Sequence, residues 1–296
     1  MKTITETQLR ILEKLNDYRF LTVPQMLSLG IANHSQTLNK ALKMMYDAGK
    51  PLLDYINFGT FPTIGRIPYV YYLTKHGSVL LAEALQLDPE ELTYPKGVKM
   101  FARDYFHRLQ VVNFHIVARS FCELYGASMD FFQTYFEHQG ANHWGDPEKP
   151  KREALNKIPI TEKTALIPDI IFQITDPKGK QWLFTGEVYQ GHDTKRAYKQ
   201  LEKHLLAIQK GSINTVYEYS RGIPVLVICE TERAKNALMK RVSEDPAFSK
   251  AENFFLFRTL KSFLLIGDKK QQKQILKEEF AMGWETYSGK ERGLFR

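Results

Sequence analysis

Apolar residues recur at helical spacing in three consecutive runs at the start of the chain, before any strand-like pattern begins. Leu9, Leu12 and Leu15 predict a helix over 5–17. Thr22 is placed to cap a second helix, with Pro24 in the first turn, where its missing N–H has no partner to lose. Met26, Leu27 and Leu29 supply its contacts and Gly30 ends it. Ser35 is placed to cap a third helix running to about residue 48, with Leu38, Leu42 and Met45 on one face. Polar residues surround its start: Asn33, His34, Gln36, Thr37, Asn39, Lys40 and Lys43. Gly49 and Pro51 close it.

A helix, a turn containing glycine and a polar-faced helix is the order that a helix-turn-helix needs to offer side chains to a major groove. Two strand-like runs follow over 52–58 and 67–73, separated by Gly59, Pro62 and Gly65, with a closing helix over 75–85. The hairpin reads as a wing, so the N-terminal third is expected to be a winged helix-turn-helix that binds double-stranded DNA. Its candidate contacts are Gln36, Asn39, Lys40 and Lys43 on the third helix and Arg66 near the hairpin tip, beside Thr60 and Thr63. Folds of this kind also dock proteins. The charge balance favours DNA: 41 Lys and Arg against 33 Asp and Glu leave a formal charge of +8, which raises the local concentration of a polyanion.

The remaining composition excludes several classes. With 296 residues, 43% hydrophobic and 25% charged, the chain has the make-up of a globular protein with room for two modest domains. No apolar run approaches the roughly 18 residues that span a bilayer, and the N-terminus lacks the apolar stretch of a secretory signal. A cytoplasmic protein without membrane insertion is expected. Cys122 and Cys229 lie in separate apolar stretches and form no metal-spaced pair, which argues against a zinc ribbon or finger. A disulfide between them stays open, though buried free thiols in a reducing compartment fit better.

A Pro-, Glu- and Lys-rich segment over 87–99, with Pro89 and Pro95, reads as a linker. The expected organisation is therefore 1–86, a linker over 87–99, and a second domain over 100–296. That domain opens with a long helix over 100–125. A strand over 129–138 and a polar, Lys-rich loop through 163 follow. Strands over 166–174 and 181–189 form a hairpin through the turn Asp176-Pro177-Lys178-Gly179. A helix over 193–210, a buried strand over 224–228, a helix over 231–242 and a strand over 254–257 complete an α/β domain with a mixed sheet, α+β overall.

The hairpin carries the most informative pair of side chains. Asp169 follows Pro168 at the start of one strand and Glu187 lies near the end of its partner. A turn at 176–179 brings both acids to one edge of the sheet, where two carboxylates favour a hard divalent cation, Mg²⁺ or Mn²⁺. Such an ion activates a nucleophile and stabilises charge on a phosphodiester. The plainer reading makes Asp169 a strand-end acid and Glu187 a salt-bridged one. Asp193, Glu137 and His138 are supporting candidates, and His107 is a candidate from the long helix.

Ile167-Pro168-Asp169 followed by Gly186-Glu187-Val188-Tyr189 resembles the PD-(D/E)XK nuclease core, with Tyr189 where those nucleases carry lysine. Lys195 or Lys203 on the following helix is then the candidate spatial substitute. With a winged helix in front, the chain over roughly 5–230 resembles the replication-relaxation family of plasmid and integrative-element proteins. The supporting stretches are Phe106-His107-Arg108-Leu109-Gln110-Val111-Val112-Asn113, the two acid motifs, and the helix with Lys195, Tyr198, Leu201 and Lys203. Within that family it is similar to C-class mobilisation relaxases. The resemblance implies a restriction-endonuclease-like second domain and a metal-dependent endonuclease that nicks one strand at a transfer or replication origin, alongside other relaxosome or coupling proteins. It makes Asp169 and Glu187 metal ligands and Tyr189 an active-site residue, either nucleophile or orienter of water. The alternative is a non-catalytic DNA binder with a decayed nuclease core: a replication initiator, an accessory factor or a transcriptional regulator.

Overall fold

In the computed structural model, which describes residues 4–92, 94–95, 104–139, 153–191, 193–259 and 280–295, each of the first two helices starts on a reciprocal cap. The Thr5 side chain accepts from Gln8 N while Gln8 Oε1 accepts from Thr5 N, opening α1 (Glu6–Tyr18). Thr22 and Gln25 repeat the device at α2 (Val23–Ser28), with Pro24 in the first turn. Helix α3 (Ser35–Tyr46) differs from expectation. It starts on Ser35 itself, so Ser35 is already helical, and His34 takes the cap position without a side-chain bond.

Leu12, Leu15, Met26, Leu38, Leu42 and Met45 of the expected apolar pattern are buried, with Ile11 beside them, while Leu9, Leu27 and Leu29 are half-buried. Strand β1 (Leu53–Ile56) follows, then the short β2 (Thr60–Phe61) and β3 (Gly65–Arg66), then β4 (Val70–Leu73). β1 and β4 pair antiparallel with Leu53 opposite Leu73, and β2 pairs with β3 to extend the hairpin into an exposed tip. Thr74 caps α4 (Lys75–Leu85) by accepting from Gly77 N at 3.0 Å. A Cβ on Gly77 would lie 1.8 Å from the Leu52 carbonyl oxygen, so helix and strand approach here only because the side chain is absent.

Helix α5 (Tyr105–Tyr125) is the longest described helix. Contacts divide the chain within it, between Ile116 and Val117, and not in the 87–99 stretch. Its first half belongs to the first unit through side chains. Tyr105 packs on Phe58, Asn113 Oδ1 accepts from Gln25 Nε2 at 2.7 Å, and the His115 ring meets Tyr18 edge-on.

In the second unit, β5 (Ser128–Thr134) is shorter than the strand expected over 129–138. The Glu137 carboxylate turns back to accept from both Thr134 N and the Thr134 hydroxyl, which ends the strand. Two small pairs follow, β6 (His138–Gln139) with β7 (Glu153–Ala154) and β8 (Ile158–Pro159) with β9 (Ala165–Leu166). The segment expected to be one strand over 166–174 is broken at Ile167-Pro168-Asp169, where proline has no N–H for a ladder. It resumes as β10 (Ile170–Thr175), which pairs antiparallel with β11 (Gln181–Tyr189). The turn between them is the expected one: Gly179 has φ +78°, and the Asp176 carboxylate accepts from Lys178 N, Lys180 N and Trp182 Nε1.

Then come α6 (Thr194–Gln209), the short α7 (Ser212–Val216), β12 (Val225–Cys229), α8 (Glu232–Ser243), β13 (Phe255–Thr259), β14 (Trp284–Glu285) and β15 (Glu291–Arg292). Neither α7, β14 nor β15 is readable as an element from periodicity, each being too short to show any. Seven strands form one mixed sheet in the order β15-β14-β13-β12-β11-β10-β5, with β11, β12 and β13 parallel. Leu201 and Leu205 of α6 and Leu238 and Val242 of α8 share a buried cluster with Val225, Val227 and Phe257 of the sheet. A second run of sheet residues, Phe172 and Phe184, stacks with Phe132 and meets Phe295.

The chain is thus a mixed α+β protein with eight α-helices among the described residues and one large mixed sheet. Among the same residues no helix is long and apolar enough to cross a membrane. Cys122 and Cys229 are buried and free, and burial pushes both thiols up to about 12. Gly77→Ala is expected to destabilise the first unit by about 1–3 kcal/mol through overpacking against Leu52. Urea unfolding of the variant checks this, and an unchanged midpoint would refute the close approach.

Candidate functional site

Ile170 stands opposite Gly186 in the β10–β11 ladder, so the next positions outward, Asp169 and Glu187, face each other across the two strands. Three local features hold Asp169 there. Asn156, fully buried, donates from Nδ2 to Pro168 O at 2.7 Å. The backbone of Asp169 still accepts from Tyr135 N at 3.2 Å. Its carboxylate takes over the ladder, with Oδ2 accepting from Val188 N at 2.8 Å. On β11, Gly186 keeps the strands close: a Cβ there would lie 2.8 Å from Ile170 Cδ1.

Glu187 is only 3% exposed. It shares a side-chain hydrogen bond with Asp169, and Oε1 accepts from His204 Nε2 at 2.7 Å and Gln200 Nε2 at 3.2 Å. Burial, and then the charge of Asp169, hold the Glu187 carboxyl well above its usual range. Burial also pulls the fully enclosed His204 down to about 3, so the pair is a hydrogen bond of a neutral imidazole and not an ion pair. His204 Nδ1 lies 3.4 Å from the Thr185 hydroxyl, two residues before Glu187 on the same strand.

The residues named from sequence fall into separate groups. Asp169 and Glu187 are brought together. Tyr189, two residues beyond Glu187, is half-buried and its hydroxyl donates to Ala197 O at 3.0 Å. Burial, with the charges of Glu187 and Asp169 behind it, holds the phenol well above its ordinary value. Lys195 and Lys203 occupy exposed positions on α6, and Asp193 serves as that helix's cap, accepting from Lys195 N and Arg196 N. Glu137 is used in the Thr134 turn and the His138 ring meets Phe136 O at 3.2 Å. His107 is half-buried on the part of α5 that belongs to the first unit.

Gln200, His204, Thr185 and Asn156 escaped the sequence reading. A signal for one of them exists. His204 interrupts the apolar stripe Ala197, Leu201, Leu205 of α6, and a polar residue on the buried face of an amphipathic helix needs a polar partner.

Among the described residues, no group of three or more His, Cys, Asp and Glu side chains forms a ready metal cage. The acidic donors are two. That set suits Mg²⁺ or Mn²⁺, since Mg²⁺ is commonly held by one or two carboxylates with water and substrate phosphate completing the shell. A buried carboxyl held above its usual range against a second carboxylate is a place where positive charge is favoured.

In the first unit, Gln36, Asn39, Lys40 and Lys43 are exposed on α3, while Leu38, Leu42 and Met45 turn inward. Arg66 is exposed on β3 with its guanidinium 5.0 Å from the Tyr69 ring centroid, to whose hydroxyl it also donates. Tyr69 stacks on Tyr55 at 4.8 Å and Tyr55 packs on Tyr46 at 4.9 Å, so Arg66 ends a row of tyrosines.

Comparison of the chain with protein-family models, curated proteins and solved structures returned no match.

Glu187 binds its proton more tightly folded than unfolded, so its contribution to stability is complete below the ordinary value of 4.5 and is lost as pH rises through the folded value. Glu187→Gln copies the protonated acid. In chelator, its stability relative to wild type is expected to grow with pH across that window, by about 1.4 kcal/mol per pH unit. Urea unfolding of both proteins at mildly acidic and mildly basic pH measures this, and a pH-independent difference would contradict it.

Proposed function

We propose that this protein is a divalent-metal-dependent, strand-specific DNA-nicking protein of the replication-relaxation type, with a winged helix-turn-helix in its first unit and a restriction-endonuclease-like fold in its second. The observation that carries the reading is the cross-strand pairing of Asp169 with the buried Glu187. The order α5, three antiparallel strands β5, β10 and β11, then α6 and the parallel β12, supports the nuclease-like part. The short α2, the polar-faced α3 and the β1–β4 hairpin with its exposed tip support the DNA-binding part.

Asp169 and Glu187 would hold Mg²⁺ or Mn²⁺. When bound, such an ion stabilises negative charge on the attacking and leaving oxygens of a phosphodiester. Asn156 and Gly186 fix where the two acids stand. Exposed Lys40, Lys43 and Arg66 would neutralise phosphates, and Gln36 and Asn39 would meet base edges. The cognate duplex would be a transfer or replication origin, with relaxosome or coupling proteins as further partners.

A second reading has its own observation. The Tyr189 hydroxyl is committed to Ala197 O and its phenol is held above its ordinary value, which opposes use as a nucleophile and favours a DNA binder without catalysis.

Supercoiled plasmid carrying the origin of the chain's own element, incubated with protein and Mn²⁺, is expected to yield open circles. Asp169→Ala and Glu187→Ala should lower that yield by at least the roughly 10–100-fold that loss of an outer-shell partner costs a metal site. Intact binding without nicking by wild type would establish the second reading. In band-shift titrations, the double variant Lys40→Ala/Lys43→Ala is expected to flatten the dependence of log affinity on log salt by about 1 for each phosphate that is no longer neutralised. An unchanged slope would remove α3 from the interface.

A further inference from the structure

Glu187 has two carboxylate oxygens; two N–H donors of α6 occupy one of them, and the acid also shares a side-chain hydrogen bond with Asp169. Oε1 accepts from two N–H donors, His204 Nε2 at 2.7 Å and Gln200 Nε2 at 3.2 Å, which matches its two lone pairs. Both donors stand on one face of α6, one turn apart. Each is anchored a second time. Gln200 Nε2 also donates to Ile167 O at 3.1 Å, two residues before Asp169. His204 Nδ1 lies 3.4 Å from the Thr185 hydroxyl. His204 and Thr185 are wholly enclosed, so water does not compete for the bonds of His204.

We infer that Gln200 and His204 are positioning residues that keep Glu187 Oε1 away from a bound cation, so that Glu187 serves as a one-oxygen ligand and the site selects a small octahedral cation over Ca²⁺. The inference rests on reading Asp169 and Glu187 as a cation site. The selectivity follows from coordination chemistry. Ca²⁺ takes six to eight oxygens at about 2.3–2.6 Å and readily uses both oxygens of one carboxylate, whereas Mg²⁺ holds to six at about 2.0–2.1 Å and tolerates little distortion. A clamp on Oε1 removes the two-oxygen mode and leaves the one-oxygen mode intact. Outer-shell donors of this kind orient a ligand without touching the metal.

The test is calorimetric titration of the full chain with MnCl₂ alone and with CaCl₂ alone, which needs no DNA and no turnover. Wild type is expected to prefer Mn²⁺. Gln200→Leu, at a half-buried position and with α6 checked by circular dichroism, is expected to narrow the Mn²⁺/Ca²⁺ affinity ratio by about 10-fold. His204→Gln, which retains an N–H donor, is expected to stay closer to the wild-type ratio than Gln200→Leu does. If Gln200→Leu binds both ions with the wild-type ratio while Asp169→Ala abolishes Mn²⁺ binding, the clamp is overturned and the cation site stands. If Asp169→Ala binds Mn²⁺ as wild type does, or wild type binds none, the cation site itself falls and the clamp with it.

Discussion

Asp169 and Glu187 meet because the tight turn at Asp176–Gly179 sets β10 against β11 with Ile170 facing Gly186. Everything proposed for the second unit depends on that register. Side chains alternate along a strand, so a slip of one residue would carry Glu187 from the face shared with Thr185 and His204 to the face where Phe172 and Phe184 stack. A carboxylate among those rings would have no donors. The register is held at both ends: by the three N–H bonds to the Asp176 carboxylate at the turn, and by the bond from Val188 N to Asp169 at the open end. Gly186 adds a steric lock, since any larger residue would meet Ile170 and the Leu226 carbonyl.

Burying Glu187 is costly, and the surroundings show how the cost is reduced. Its proton affinity rises, His204 stays neutral, and Gln200, His204 and Asp169 supply hydrogen bonds that water would otherwise make. The penalty in stability is the reason such a group is informative. An interior built for stability alone would place an aliphatic side chain there, as the neighbouring Val227 and Leu183 do. The α6 helix is the other half of this arrangement. It seals the sheet with Ala197, Leu201 and Leu205 and threads Gln200 and His204 through the same stripe toward Glu187.

The first unit rests on ordinary core packing from α1, α2 and α3, closed by the β1–β4 pair and the Leu21–Tyr71 bridge. Its polar face needs no such compensation, because Gln36, Asn39, Lys40 and Lys43 remain in solvent. The tyrosine row ending at Arg66 gives the hairpin stem a stiff side and leaves Phe61 and Ile64 exposed toward the tip. Asn113 and His115 draw the first half of α5 into this unit, so the division between units lies inside a helix that composition alone assigns to the second domain.

Features set by neighbours a few residues apart were legible in the sequence. The Thr22 cap with Pro24, the inward stripe of α3, the Asp176–Gly179 turn and hence the pairing of Asp169 with Glu187 all follow from short-range rules of capping, periodicity and turn geometry. The cap of α3 falls one residue before the expected Ser35, within the range over which helix ends are set by fraying and not by a single side chain. What the tertiary structure alone decided was who surrounds the pair. Gln200 and His204 lie 13 and 17 residues beyond Glu187, and reach it only because α6 crosses the sheet at one angle and rotation. Lys195 and Lys203, equally plausible by spacing, face away. That choice is made by Leu201 and Leu205 seating against β12, a long-range packing interaction that no local pattern encodes.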